Sequence, residues 1–181
     1  MNRRGVERIE RVVLLGYMCS GKSTVGESVA RRLSWNFVDF DVEIERREQR
    51  RVWEIIEGEG EEYFRRLESE LTREASEERR LVMAPGGGWI TNPELLEAIR
   101  PGTFSVWLRV SPEETVRRLL DDSIDRPLKE HPDPIRPVSE MLEEREPLYR
   151  RADLAIPGDS RHPEELAFEI ESIVRLRNAP P

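Results

Sequence analysis

Val12-Val13-Leu14-Leu15-Gly16-Tyr17-Met18-Cys19-Ser20-Gly21-Lys22-Ser23 is the stretch that decides the fold. Four consecutive apolar residues, two of them β-branched, read as a strand buried on both faces, spanning Ile9 to Leu15 with Gly16 closing it. The eight residues from Gly16 to Ser23 fit G-x-x-x-x-G-K-[ST], the phosphate-binding loop (P-loop) that joins a strand to a helix. Backbone N–H groups of such a loop wrap phosphates, and the helix N-terminus adds partial positive charge. Lys22 would reach the terminal phosphates and the Ser23 hydroxyl would hold magnesium. Cys19, Ser20, Gly21, Lys22, Ser23 and Thr24 are therefore the candidate nucleotide-contacting residues.

Working outward, a helix is expected from Lys22 to Leu33 and a second strand from Phe37 to Phe40. Asp41 to Gln49 is patterned as a helix. Val52 to Ile56 and Glu61 to Ser76 follow as helices, with Gly58 and Gly60 as stops. Leu81 to Ala84 is a third strand, ending in Pro85-Gly86-Gly87-Gly88. Asn92-Pro93 opens a helix that reaches about Arg100, and Thr103 to Val110 is a fourth strand. Ser111-Pro112-Glu113-Glu114 carries an N-cap serine, a proline at N1 and a glutamate that completes a capping box, starting a helix to Leu120. Asp121 to Pro137 is polar and holds Pro127, Pro132, Pro134 and Pro137, too many for a helix. A helix from Val138 to Tyr149 or Arg150, a strand from Asp153 to Ile156 and a helix from His162 onward complete the chain.

Strands alternating with helices at these lengths predict an α/β fold, three layers deep, with a central five-stranded parallel sheet, because parallel neighbours need crossover connections. Ligands in such sheets sit at the carboxyl ends of the strands. Gly16–Ser23, Asp39–Asp41 and Gly86–Gly88 each follow a strand and should meet in one cleft. In Phe37-Val38-Asp39-Phe40-Asp41 the alternation of a strand puts both carboxylates on one side. One could sit near a metal while the other accepts a hydrogen bond from a substrate hydroxyl, although Asp-x-Asp at a strand end is more often a solvated turn. Arg65 and Glu68 share a face of a helix charged enough to be read as a solvated, salt-bridged surface. The triple glycine lets a ligand approach bare backbone, or is a simple turn.

The 181 residues suit one compact domain. Charged residues make up 36%, but Leu, Ile, Val and Phe number 47, enough apolar surface for a folded core rather than a disordered chain. A net charge of -8 argues against a generally basic, nucleic-acid-binding surface. Cys19 is the single cysteine, which excludes an internal disulfide and a cysteine-rich zinc site and fits a reducing compartment. Neither a secretory signal nor an apolar run of membrane-spanning length is present, so a cytoplasmic protein without membrane or nucleic-acid partners is expected.

Taken in order, the segments resemble the shikimate kinases, small members of the nucleoside monophosphate kinase-like P-loop enzymes. The resemblance runs over nearly the whole chain. It rests on the P-loop, on Asp39-Phe40-Asp41 with Ile44-Glu45, on Gly60-Glu61-Glu62-Tyr63-Phe64-Arg65-Arg66-Leu67-Glu68, and on Gly86-Gly87-Gly88. It rests further on Arg126-Pro127-Leu128 and on Arg145-Glu146-Pro147-Leu148-Tyr149 with Ala152-Asp153. The family implies a P-loop kinase fold with a mobile lid over about 121–137 and a substrate-binding helical region over about 41–77. It implies phosphorylation of the 3-hydroxyl of shikimate by ATP with Mg2+ as cofactor, and a monomer is expected. Asp41, Arg65, Gly86, Gly87, Gly88 and Arg145 would bind shikimate, with both arginines on its carboxylate. Ser23 and Asp39 would hold magnesium, and Lys22, Asp41 and Arg126 would be catalytic, Arg126 closing with the lid over the phosphates. Gly158-Asp159-Ser160-Arg161 is similar to the adenine-contacting loop, which places Arg161 at the nucleotide.

Three positions depart from the family pattern. Cys19 stands where a glycine is usual, and a positive φ there would strain the loop. Pro85 and Lys129 replace residues of other character. A kinase of another small hydroxy acid, such as gluconate, and a nucleotide-binding module without turnover are the rival readings. Lys22, Ser23, Asp39, Asp41 and Arg126 together argue against the module, since binding alone does not require the full set.

Overall fold

The computed structural model describes residues 8–122 and 127–180. Five strands, β1 (Arg11–Leu15), β2 (Asn36–Asp39), β3 (Leu81–Ala84), β4 (Thr103–Arg109) and β5 (Leu154–Pro157), form one sheet in the order β2-β3-β1-β4-β5. Every pairing is parallel, with Val13 opposite Met83 on one side and Ser105 on the other. The helices are α1 (Lys22–Leu33), α2 (Phe40–Glu48), α3 (Val52–Glu59), α4 (Glu61–Glu77), α5 (Pro93–Ile99), α6 (Pro112–Asp121), α7 (Ile135–Tyr149) and α8 (Pro163–Asn178). Short 3-10 turns occupy Trp89–Thr91 and Pro127–Glu130.

Alternation along β1 divides the interior into two cores. Val12 and Leu14 face α1 and α8 through Val25, Val29, Leu166 and Ile170. Val13 and Leu15 face the other side, with Phe40, Ile55, Phe64, Met83, Trp107 and Tyr149. This is the expected three-layer arrangement. A third cluster, Tyr17, Val116 and Val138, wedges the P-loop against α6 and α7. Among the described residues no helix is long and apolar enough to cross a membrane.

Several local expectations are corrected. Asp41 lies in the first turn of α2 rather than on an extended segment, because Asp39 ends β2 and caps the helix, accepting from Asp41 N at 3.1 Å and Val42 N at 3.3 Å. Gly58 lies inside α3, and Gly60, at φ 87, makes the break before α4. Ser111 Oγ caps α6 by accepting from Glu114 N, but the return half of the capping box is absent. Glu114 is taken by Arg117 and Arg118, and Ser111 N donates to Asp159 Oδ1 instead. α7 begins at Ile135, three residues before Val138, and carries Pro137 in its first turn, where a missing N–H costs no helical bond.

Ala152-Asp153 acquires a structural role. Asp153 Oδ2 accepts from Ser105 N (2.8 Å) and Ser105 Oγ (2.7 Å), and Asp153 N donates back to Ser105 Oγ (3.0 Å), which pins β5 to β4. Ser105 is buried, so removing the carboxylate strands its amide. Asp153→Ala is expected to lower the unfolding free energy by about 1–3 kcal/mol in urea titration.

Candidate active site

The carboxyl ends of β1, β2 and β3 open into a cavity of about 580 Å³. Its wall includes Lys22, Ser23, Asp39, Asp41, Arg65 and Arg145, together with Gly86, Gly87 and Gly88. Side chains separated by up to 123 positions in sequence therefore share one void. Cys19, Gly21 and Thr24 line it too, and also line an adjoining groove of about 700 Å³ that holds Ser20, Arg117, Arg118 and Arg161. Arg126 lies outside the described residues, as do 123–125 of the lid expected over about 121–137.

The P-loop is shaped by its backbone. Gly21, at φ 90, is the N-cap of α1, a conformation that suits glycine. Cys19 adopts φ 58, so the position at which the resemblance implies a glycine is left-handed and bears a side chain. Arg118, which the sequence reading passed over, donates to Cys19 O at 3.3 Å and to Gly158 O at 2.7 Å, joining the P-loop to the loop after β5. Lys22 Nζ donates to Gly16 O (2.9 Å) and Tyr17 O (3.0 Å), holding the ammonium over the loop. Ser23 Oγ donates to Asp39 Oδ2, so a hydroxyl and a carboxylate oxygen meet at the mouth of the P-loop. Both are hard oxygen donors, and magnesium at kinase sites takes few protein ligands, with phosphates and water supplying the rest. The pair fits that requirement. Among the described residues no cluster of three acidic, histidine or cysteine side chains forms an all-protein metal cage.

On the acceptor side, Arg65 donates to Glu68 Oε2 at 2.6 Å and to Glu61 Oε1 at 2.7 Å. The solvated-face reading of this pair fails for Glu68, which is 0% exposed. Its second oxygen, Oε1, has no hydrogen-bond partner among the described residues. Burial pushes the Glu68 carboxyl up to about 7, outweighing the opposite pull of Arg65. Burial by itself would lower the Arg65 pKa, but the Glu68 and Glu61 carboxylates overcome it and raise it, so the guanidinium stays charged. The glycines are needed for close approach. A Cβ on Gly86 would lie 2.9 Å from Asp41 Oδ1 and 3.1 Å from Glu68 Oε1, and one on Gly88 would collide with the Arg65 guanidinium. Across the cavity, Arg145 lies 5.5 Å over the Tyr17 ring and donates to Gly87 O at 3.2 Å.

A strand–P-loop–helix unit, an acidic pair beside it and two arginines in the same cavity define a P-loop kinase of a small anionic alcohol. The family model for shikimate kinase matches residues 18–175. A shikimate kinase of Caldanaerobacter subterraneus is 40% identical over 170 residues, covering 93% of this chain and 99% of the relative. The structure of a shikimate kinase from Acinetobacter baumannii in complex with shikimate superposes with a TM-score of 0.86 at 32% identity, over 96% of this chain and 97% of that one. A gluconokinase from Sinorhizobium meliloti superposes with a TM-score of 0.61 at 18% identity, over 94% of this chain and 95% of that one, which is a likeness of fold. The chain belongs to the shikimate kinase family and is an ATP-dependent enzyme.

Two outcomes follow from the geometry. The Glu68 contribution to stability is present below about pH 4.5, where folded and unfolded chains both hold the proton, and is lost as pH rises through about 7. Relative to Glu68→Gln, the wild type is therefore expected to lose on the order of 2 kcal/mol of unfolding free energy between pH 5 and 8. A pH-independent difference would return this carboxyl to the ordinary range. Cys19→Gly removes a left-handed residue that carries a Cβ, and is expected to raise the melting midpoint by about 2–4 °C.

Proposed function

We propose that the 580 Å³ cavity takes shikimate beside the triphosphate of ATP, and that the chain transfers the terminal phosphoryl group to the 3-hydroxyl, giving shikimate 3-phosphate and ADP. The observation that carries this reading is the convergence of Lys22, Asp41, Arg65 and Arg145 on that one void. Arg65 and Arg145 pair with the carboxylate of the acid, as guanidinium forks pair with planar anions. The backbone of Gly86 to Gly88 lies beside the ring. Asp41 orients the 3-hydroxyl and takes its proton as the oxygen attacks the terminal phosphorus and the bond to the β–γ bridging oxygen breaks.

Lys22, released from the carbonyls it now touches, stabilises charge on the transferring group. Arg126 has the same task in the reading that the resemblance supplies. The Ser23 hydroxyl and the Asp39 carboxylate would hold Mg2+, which neutralises phosphate charge when bound. The groove lined by Arg118 and Arg161 accommodates the nucleoside.

A coupled ADP-release assay with and without shikimate tests the assignment, with gluconate as the control acid. Shikimate-dependent release is expected; release that depends on gluconate, or on neither acid, would overturn it. Asp41→Asn is expected to lower turnover by about 10²- to 10⁴-fold while ATP binding persists. Unchanged turnover would remove Asp41 from this role.

A further inference from the structure

The triple-glycine turn is held in two different ways. Gly86 O accepts from Trp89 N at 3.0 Å, and Gly88 O accepts from Thr91 N at 3.0 Å and Thr91 Oγ1 at 2.7 Å, bonds made within the turn and its 3-10 extension. Gly87 O is gripped from α7, accepting from Tyr149 Oη at 3.0 Å and Arg145 Nη1 at 3.2 Å. Residues four apart on a helix stand on the same face, so α7 presents both donors to one carbonyl. Tyr149 is 1% exposed, and its ring stacks on Trp107 of β4 with centroids 5.6 Å apart and planes 16° from parallel. Burial pushes the Tyr149 hydroxyl up to about 12, so it remains a donor at working pH.

We propose that Tyr149 is a positioning residue for recognition of the substrate carboxylate: its hydroxyl keeps the Gly87 carbonyl satisfied so that Arg145 is released to the substrate. The inference rests on the shikimate reading above. Arg145 serves two acceptors in turn, the Gly87 carbonyl and the carboxylate of the acid. Gly87 is half-buried, and its carbonyl loses the net worth of a hydrogen bond when a donor leaves it. With the Tyr149 hydroxyl in place, Gly87 O keeps one bond when Arg145 swings away, and the turn holds its position. Without that hydroxyl, Gly87 O has Arg145 as its remaining side-chain donor among the described residues, and the substrate must compete with that bond. Tyr149 acts through Arg145 and the turn and touches no reacting atom.

Tyr149→Phe tests this while keeping the ring and its stack on Trp107. The KM for shikimate is expected to rise about five- to tenfold, the size of one hydrogen bond, with kcat and the KM for ATP within about twofold. In an Arg145→Met background the same change is expected to move the shikimate KM by less than about twofold, because the competing bond is gone. An unchanged shikimate KM, equal rises for both substrates, or a full multiplicative effect in the Arg145→Met background would overturn the proposal. A second readout needs no substrate. Exchange of the Trp89 amide, which closes the turn onto Gly86, is expected to quicken about tenfold in Tyr149→Phe by NMR. Unchanged protection overturns the proposal whichever acid is phosphorylated, whereas a wild-type protein that releases no ADP with shikimate counts against the substrate assignment.

Discussion

The site depends on two loops touching backbone to backbone. A Cβ on Gly87 would lie 3.2 Å from Met18 N, so the turn after β3 is pressed against the P-loop after β1 with no side chain between them. β1 and β3 are hydrogen-bonded neighbours in the sheet, which fixes the separation of the strands, and the missing side chain lets their loops close the remaining gap. The P-loop and the triple-glycine turn become one wall of the cavity. Phosphoryl transfer makes that contact decisive, because its catalysis is mostly alignment and charge neutralisation, both of which decay steeply with distance. A bulkier residue at Gly87 would push the triple-glycine turn away from the P-loop.

Around that wall, the cavity cations are held by neutral or internal acceptors. Lys22 rests on two P-loop carbonyls, Arg65 on Glu61 and Glu68, and Arg145 on the Gly87 carbonyl and the Tyr17 ring. Each is held in place by these contacts, so an anion entering the cavity would meet ordered cations rather than gather loose side chains. Less rotamer entropy is lost on binding as a result. The net charge of -8 makes the arrangement more necessary, since a diffuse positive field to draw anions is absent and attraction must come from the cavity itself.

The parts of the fold that were legible in the sequence obey local rules. The P-loop, the helix Lys22–Leu33 and the strand Leu81–Ala84 match their expected bounds because apolar runs, glycine and the lysine–serine pair are each read from a few neighbouring residues. That most of the expected site residues line one cavity is legible from that frame and from the family motifs. What stayed hidden depends on tertiary contact. Arg117 and Arg118 are adjacent and chemically identical, yet Arg117 spends its donors on Glu114 and Asp121 at the surface, whereas Arg118 reaches Cys19 and Gly158. Nothing local distinguishes them. Glu68 was hidden for a related reason, since its helix is charged throughout and only the packing of α4 under the triple glycine removes this one carboxylate from water. Asp41 was placed on the right side of the cleft by a strand argument that does not apply to it; the helix turn begun by Asp39 brings it there instead.

Glu68 also shows what a rigid substrate pocket requires. A wholly buried carboxyl with one oxygen unbonded is a liability, and the burial that raises its pKa disfavours its charged form. An apolar residue of similar volume would cost less to bury, but it would leave Arg65 with Glu61, an exposed partner one helical turn away. Exposed pairs of that kind contribute little to order. A buried partner fixes the guanidinium against the Gly88 backbone, where a Cβ would not fit. Stability is therefore lost where an arginine is fixed at the cavity wall, while the two apolar cores on either side of the sheet supply the stability that tolerates it.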